Sequence, residues 1–260
     1  MPASLPNILP LRRPFLEKLD TSWRKRLVGE QATGTGDHPA RCSYFGAKFD
    51  VDLGDVVGYE IAIHRFEWRE LKMLIAACQR IKPDLFLDVG ANLGLYTCVI
   101  AGRNLVPRTI AFEPDRENFA RLSRNIALNG LDSRVQAHQV AAGAKAGTAM
   151  LHPSARDNRG QSSLGEAPPG YTEGTSYEVP VVTLDDLVTI AGRNIALKMD
   201  VEGHEGEVLT GAEKLFTRNG GYAQMEARSD EIATQLTARM ADFGWRFRDR
   251  YGLDVRFEKP

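Results

Sequence analysis

The sequence of 260 residues has little cysteine, no long apolar run and almost no net charge. Its three cysteines, Cys42, Cys78 and Cys98, are too few and too scattered for a disulfide framework or a zinc cluster. No apolar run approaches the ~18 residues that a membrane-spanning helix needs. The formal net charge of −1 gives no general attraction to nucleic acid or to an anionic membrane. We therefore expect no membrane span and no nucleic-acid partner, and we expect Cys78 and Cys98 to be buried as small hydrophobic side chains.

The first residues also lack the features of a secretory signal. Three prolines occur within the first ten positions, without the apolar core of a signal peptide. We therefore expect a cytoplasmic protein. The length is enough for one large core, or for one core with a small extension. We predict an N-terminal extension over residues 1–58, with a flexible start that could hold a helix at 12–28 and a short hairpin at 43–55, followed by one domain over residues 59–260.

The rest of the chain is organised around residues 85–97. An apolar run predicts a buried strand that ends near Asp88, and Gly90 and Gly94 separate it from a predicted helix at 95–101. A helix that starts at such a turn offers backbone N–H groups and the positive end of its dipole to a ligand. Glycine would let the ligand approach, because a Cβ atom would hold it away from the backbone. The alternative is a tight strand-to-helix turn without a ligand.

A second short strand, predicted at 109–112, ends in Glu113 and Pro114. Glu113 follows Asp88 by 25 residues, and an acid at the end of the second strand of a βαβ unit can accept hydrogen bonds from both hydroxyls of a ribose. The two strand ends therefore predict a nucleoside-type cofactor site. Its candidate residues are Asp88, Gly90, Ala91, Asn92, Gly94, Thr97, Glu113, Pro114 and Ala141.

From residue 83 onward the pattern alternates between strand and helix. Helices predicted at 67–81 and 117–129, and a third strand at 135–142, indicate a parallel, doubly wound α/β sheet. Ligands bind beyond the carboxyl ends of the strands in such a sheet. Residues 145–177 interrupt the alternation and are rich in glycine, serine and proline. Because this insertion should emerge at the ligand edge, we predict a substrate-facing lid, and the alternative is disorder.

The fourth core strand, predicted at 195–201, contains two charged residues within an apolar run. Burial of Lys198 and Asp200 is costly unless they are paired or functional. If the extended geometry continued, one face beside the glycine turn would carry four side chains: Lys198, Asp200, Glu202 and His204. The remaining elements are predicted as a helix at 206–216, a fifth strand at 221–225 that ends in Glu226, a helix at 231–243 and closing strands at 245–247 and 253–257.

Four sequence blocks resemble the FkbM family of class I S-adenosylmethionine-dependent methyltransferases: DVGANLG at 88–94, FEP at 112–114, TLDDL at 183–187 and KMDVEGHE at 198–205. The first two blocks are shared by many methyltransferases, whereas the last is much more specific to this family. The resemblance implies a Rossmann-like sheet of seven strands with an antiparallel last hairpin. It also implies S-adenosylmethionine as the cofactor and O-methylation of a hydroxyl group on a sugar, glycan or natural product.

Deprotonation helps a hydroxyl group to attack, so the implied reaction needs a base. His204 is the candidate, because imidazole titrates near neutral pH and no other histidine lies near the expected methyl site. The alternative is a surface histidine at a helix start. Asp200 and Glu202 either orient that base or bind the acceptor, and Asp200 is also a candidate for holding the cofactor's amino group. Lys198 completes the catalytic set.

Two further questions concern the metal and the partners. Asp200, Glu202 and Glu226 offer oxygens of the kind that ligate Mg²⁺, but we predict no metal requirement. The expected partner is a small-molecule or glycan acceptor. The sequence leaves the identity of that acceptor open, and it is compatible with a homo-oligomer.

The same residues give less support to other functions. A nicotinamide oxidoreductase would carry a Gly-x-Gly-x-x-Gly fingerprint, which the turn at Asn92 lacks. A Tyr44-x-x-x-Lys48 pair matches a dehydrogenase dyad but precedes the nucleotide turn. A nucleic-acid amino-methyltransferase would need an acid or Asn before Pro-Pro-aromatic, and residues 167–171 lack that pattern. A non-catalytic module that binds S-adenosylmethionine stays open, although it has little reason to keep the charged cluster at 198–205.

Overall fold

The computed structural model describes residues 38–154, 160, 162–165, 167, 171 and 174–260. The helix predicted at 12–28 lies outside these residues. An antiparallel hairpin of β1 (Pro39–Tyr44) and β2 (Ala47–Asp52) confirms the predicted hairpin, although it begins earlier than residue 43. Helices α1 (Val56–Ala62) and α2 (Trp68–Ile81) follow, and the Asp55 side chain caps α1 by accepting from the Gly58 N–H.

A seven-stranded sheet forms the centre of the protein, as predicted. Its strand order is β11-β12-β10-β9-β3-β4-β5. Within this order, the pairs β10-β9, β9-β3, β3-β4 and β4-β5 are parallel. In contrast, β12 pairs antiparallel with β10 and β11. The strands are β3 (Leu85–Val89), β4 (Thr109–Phe112), β5 (Val135–His138), β9 (Asn194–Met199), β10 (Gly220–Glu226), β11 (Arg246–Tyr251) and β12 (Asp254–Lys259).

Helices cover both faces of this sheet, so it is doubly wound. They are α3 (Leu95–Gly102), α4 (Arg116–Leu128), α5 (Leu184–Leu187), α6 (Glu205–Thr210), α7 (Glu213–Arg218) and α8 (Asp230–Asp242). Successive side chains of a strand point to opposite faces. Phe86 accordingly packs with the hairpin and helices α2, α3 and α4, whereas Leu85 and Leu87 pack with the later helices. The hairpin thus shares one core with the sheet, and the domain boundary at residue 58, which falls within α1, stays a prediction.

The predicted third strand and insertion need correction. β5 ends at His138, and β6 (Ala141–Ala142) belongs to a separate sheet of order β6-β8-β7. Its other strands are β7 (Gly147–Leu151), which lies within the interval predicted as irregular, and β8 (Tyr177–Val182), which agrees with the extended segment predicted at 178–182. In β7 only Leu151 is buried. The sequence therefore shows no alternation by which this strand could be recognised.

The helix predicted at 206–216 is also wrong, because it is split into α6 and α7. Gly211 lies between them, and a Cβ atom there would overlap the backbone oxygen of Gly143. The interruption therefore lies where the backbone of Gly143 approaches closely. All three cysteines are buried free thiols, which confirms the expectation for Cys78 and Cys98. In the ranges given above, no helix is both long enough and apolar enough to cross a bilayer.

Candidate active site

A cleft opens at the carboxyl ends of β3, β4 and β9, where a parallel sheet is expected to bind ligands. About 900 Å³ of empty space lies within its outline, and this figure includes open solvent. Most of the predicted site residues line it: Gly90, Ala91, Asn92, Glu113, Pro114, Ala141, Lys198, Asp200 and Glu202. The structure thus brings together residues from four separate stretches of the sequence.

Four predicted residues lie outside this wall: Asp88, Gly94, Thr97 and His204. The buried Asp88 carboxylate accepts hydrogen bonds from the Thr97 N–H at 2.9 Å and from Thr97 Oγ1 at 2.6 Å. Burial raises the pKa of Asp88 to about 6, although the bonds from Thr97 oppose this shift. Asp88 therefore joins the end of β3 to the first turn of α3.

The protein's own packing gives a reason for the two glycines in addition to the predicted one, which stays a prediction. Gly90 has φ 84°, and a Cβ atom there would overlap the backbone oxygen of Asp200. Gly94 has φ 92°, and a Cβ atom there would lie 2.7 Å from Leu122 Cδ1. Both positions need left-handed backbone that side chains disfavour. Neighbouring parts of the protein and the left-handed backbone are therefore enough to account for glycine at both positions.

Glu113 is the buried acid at the end of β4, with 5% of its surface exposed. Its Oε2 accepts from the Asn92 N–H at 2.7 Å, and its Oε1 accepts from the Asp115 N–H at 2.9 Å. Burial raises the pKa of Glu113 to about 8, against the effect of these bonds. Each carboxylate oxygen keeps a second lone pair, so this fixed group can still accept from the hydroxyls of a ribose.

The insertion covers the same end of the cleft. Leu151, Gly160, Ser162 and Leu164 belong to the cleft wall, so the insertion emerges at the ligand edge as predicted. Its last residue, Tyr177, accepts from the Arg116 N–H at 3.0 Å and donates to Asp115 Oδ2 at 3.1 Å. These two bonds attach the insertion to the start of α4, beside Glu113.

At the opposite end, Lys198 provides a buried positive charge. Its Nζ lies 2.8 Å from Asp254 Oδ1 and 3.9 Å from Asp200 Oδ2. Burial alone would lower the pKa of Lys198, but the charges of Asp254, Glu67 and Asp200 outweigh it and raise the pKa well above its ordinary value. Lys198 therefore stays protonated and holds neighbouring carboxylates in place.

The shared face predicted for residues 198–204 is wrong. β9 ends at Met199, and left-handed backbone at Glu202 (φ 58°) and Gly203 (φ 98°) turns the chain before α6 begins. The turn places the His204 ring beside the insertion, 3.2 Å from the position that a Cβ atom on Gly165 would take. His204 Nδ1 is buried and has no hydrogen-bond partner among the described residues. Burial lowers the pKa of His204, so its imidazole is neutral at pH 7.

Three carboxylates cluster at this end, namely Asp200, Glu202 and Glu226. One oxygen from each lies within 4.8 Å of the others, which is a spacing that can hold a metal ion. Arg228 forms ion pairs with both Glu202 and Glu226 and already supplies positive charge. Burial and then the charge of Asp200 raise the pKa of Glu226 to about 9. The expectation that no metal is required stays a prediction.

The sequence gives little signal for several residues that shape this end. Asp254 lies in the closing hairpin, 56 residues from its partner Lys198. Glu67 lines the cleft from the start of α2, and Tyr96 lines it from α3. Arg228 was recognisable only by its closeness to Glu226. A charged residue within a predicted strand is the only local hint that such partners exist.

Comparisons with known proteins agree with this geometry. The chain is 28% identical over 175 residues to the hexuronic acid methyltransferase AglP of Haloferax volcanii, an alignment that covers 66% of each protein. It is also 28% identical over 167 residues to Methyltransferase 1 of Beauveria bassiana, covering 56% of this chain and 66% of the relative. The chain thus spans slightly less than two thirds of the length of these relatives.

A solved structure and a family model complete the comparison. The crystal structure of the FkbM methyltransferase from Methylobacillus flagellatus has a TM-score of 0.51 at 19% identity, covering 68% of this chain and 44% of that one, and supports the fold. The model of the methyltransferase FkbM domain matches residues 88–247, which is more than half of the chain. The chain therefore belongs to the FkbM methyltransferase family, with S-adenosylmethionine as its cofactor.

Proposed function

We propose that the protein transfers the methyl group of S-adenosylmethionine to a hydroxyl group of a sugar or glycan. The observation that carries this proposal is the cleft of an FkbM-family domain with Glu113 at one end and Asp200 and Glu202 at the other. The similarity to a hexuronic acid methyltransferase supports a sugar as the acceptor. Carboxylates are suited to that class of substrate, because they accept hydrogen bonds from hydroxyl groups.

The residues present fit the cofactor. We assign Glu113 to the ribose hydroxyls, because its buried carboxylate is fixed by two backbone N–H groups and keeps open lone pairs. Apolar surface for the adenine ring lies beside it, at Pro114, Ala141 and Leu151. When bound, the cofactor supplies an electrophilic methyl group on a positively charged sulfur. Much of the rate is then a matter of alignment.

We assign the acceptor's proton to His204. With the cofactor bound, methyl transfer to the acceptor's oxygen would leave S-adenosylhomocysteine, and the neutral imidazole of His204 would take the proton that the hydroxyl loses. Two features of His204 support this role: burial lowers its pKa, which favours the neutral ring, and its Nδ1 has no hydrogen-bond partner among the described residues. Asp200 and Glu202 line the cleft and bind the acceptor's hydroxyls, and Lys198 holds Asp200 in place.

The test is methyl transfer from labelled S-adenosylmethionine to a panel of sugars, with the product identified by mass spectrometry. The panel should pair each neutral hexoside with its hexuronic acid counterpart. The carboxylates of Asp200, Glu202 and Glu226 favour the neutral hexoside as the acceptor, whereas the similarity to AglP favours the hexuronic acid. Calorimetry with S-adenosylmethionine, S-adenosylhomocysteine and NAD tests the rival functions. A protein that bound NAD and neither sulfur nucleoside would contradict the proposal.

A further inference from the structure

Glu67 is a charged cleft residue to which the proposed reaction gives no role. It sits immediately before α2 with φ 43° and ψ 35°, and its side chain makes no capping bond to that helix. This left-handed conformation is unfavourable for a residue with a Cβ atom. Such residues persist where the surrounding structure holds them, and they concentrate at functional sites.

Two hydrogen bonds hold Glu67 in this position. The hydroxyl of the buried Tyr96 donates to Glu67 Oε2 at 2.7 Å. The preceding residue, Phe66, accepts from the Tyr44 hydroxyl at 3.0 Å, so the N-terminal hairpin also fixes this loop. The carboxylate is therefore held at the cleft by both α3 and β1.

The surroundings of Glu67 carry more negative than positive charge. Its electrostatic neighbours are Lys198, Asp200 and Asp254, in addition to the hydroxyl of Tyr96. The single cation among them, Lys198, is closest to Asp254. Burial raises the pKa of Glu67 to about 7, and the carboxylates of Asp200 and Asp254 add to this shift. A positively charged ligand group would relieve the excess negative charge.

We propose that Glu67 binds the α-ammonium group of the methionine portion of S-adenosylmethionine. This inference rests on the cofactor of the proposed function. With the ribose at Glu113, the methionine chain runs past the end of β3 towards the end of the cleft where Glu67, Lys198 and Asp200 lie. The cofactor carries two cations, and the sulfonium must face the acceptor. The ammonium group is therefore the cation left for Glu67, whereas Asp200, whose Oδ1 is buried without a hydrogen-bond partner among the described residues, is left for the acceptor.

The experiment compares ligands with and without the ammonium group, by calorimetry on the full chain. S-adenosylmethionine and S-adenosylhomocysteine carry it, whereas 5′-methylthioadenosine keeps the nucleoside and lacks the amino acid. Glu67→Gln should weaken binding of the first two about 10-fold to 100-fold and leave the third unchanged, since a hydrogen bond to a charged group is lost. Tyr96→Phe removes the donor that orients Glu67 and should show a smaller loss with the same ligand selectivity.

The control is Glu60→Gln, because Glu60 pairs with Arg65 and does not line the cleft. It should bind all three ligands as the wild type does. The role of Glu67 would be overturned if Glu67→Gln and Tyr96→Phe weakened binding of 5′-methylthioadenosine as much as binding of S-adenosylmethionine. It would also be overturned if neither variant weakened binding of any ligand. Failure of the unmodified protein to bind S-adenosylmethionine would instead overturn the proposed function.

Discussion

The two ends of the cleft hold their acidic side chains by different means. One end lies at Glu113, and we call it the nucleoside end after the ligand proposed for it. There Glu113 accepts from two backbone N–H groups, and Asp115 caps α4 through the N–H groups of Glu117 and Asn118. At the opposite end, which we call the transfer end, side-chain cations face the carboxylates. Lys198 lies against Asp254 there. Backbone donors hold one end and charged side chains hold the other.

This difference has a consequence for ligand binding. Backbone N–H groups move only if the fold moves, so the nucleoside end is a preformed acceptor of hydrogen bonds. The partners at the transfer end are side chains, and these can exchange one ion pair for another when a charged ligand arrives. Arg228, which pairs with Glu202 and Glu226 and is 41% exposed, is the clearest example. We expect substitutions at the two ends to affect different properties.

The largest effect should come from Lys198→Met, which removes the buried cation of the transfer end. Asp254 would keep its bond from Gln224 Nε2 but lose its charged partner. Breaking a buried pair in this way costs about 3–5 kcal/mol in the free energy of unfolding, measurable by urea denaturation. The control, Arg193→Met, breaks an exposed pair with Asp84 and should cost less than about 1 kcal/mol. Similar losses in the two variants would contradict this view of the transfer end.

His204→Ala should lower turnover about 10²-fold to 10⁴-fold while the affinity for S-adenosylmethionine stays the same. The reason is that the variant loses the proposed proton acceptor and no cofactor contact. His138→Ala is a matched control, because burial lowers the pKa of His138 as well and its ring, which stacks on the cleft residue Phe112, does not itself line the cleft. If His204→Ala retained turnover within a few-fold, the base would be another residue, with Glu202 or Glu226 the next candidates.

Glu113→Gln tests the nucleoside end. The amide nitrogen of glutamine cannot accept the hydrogen bond that a carboxylate oxygen of Glu113 accepts from a backbone N–H group. The amide also has fewer lone pairs to accept hydrogen bonds from the ribose. Binding should weaken by about 1.5–3 kcal/mol for S-adenosylmethionine and by the same amount for 5′-methylthioadenosine. The equal loss would contrast with Glu67→Gln. A loss confined to S-adenosylmethionine would show that Glu113 does not act on the nucleoside.

The last effect concerns the pH dependence of stability without cofactor. Burial raises the pKa of Glu113 to about 8 and that of Glu226 to about 9, above the ordinary value near 4.3. The folded state therefore holds these protons more tightly than the unfolded state. Their contribution is complete below pH ~4 and is lost as pH rises towards ~9. Glu226→Gln should flatten this decline in urea unfolding at pH 5, 7 and 9, and parallel curves for the two proteins would exclude Glu226 as a cause.

The sequence by itself determined the sheet and the nucleoside end. Strands β3 and β4 have short apolar runs, and both candidate acids, Asp88 and Glu113, stand at or just beyond the ends of those runs. Because parallel strands bring their carboxyl ends to one edge, local patterns were enough to place the cleft. The antiparallel last hairpin followed from the family resemblance and is confirmed.

Only the tertiary structure decided the transfer end. The left-handed turn at Glu202 sends His204 towards the insertion, and no periodicity in the sequence announces it. Glu67 meets Tyr96 across 29 residues, and Lys198 meets Asp254 across 56. Such pairs form where separate layers pack together, so a charge in the sequence shows only that a partner is needed. The packing of the hairpin, the helices and the sheet decides which residue that partner is.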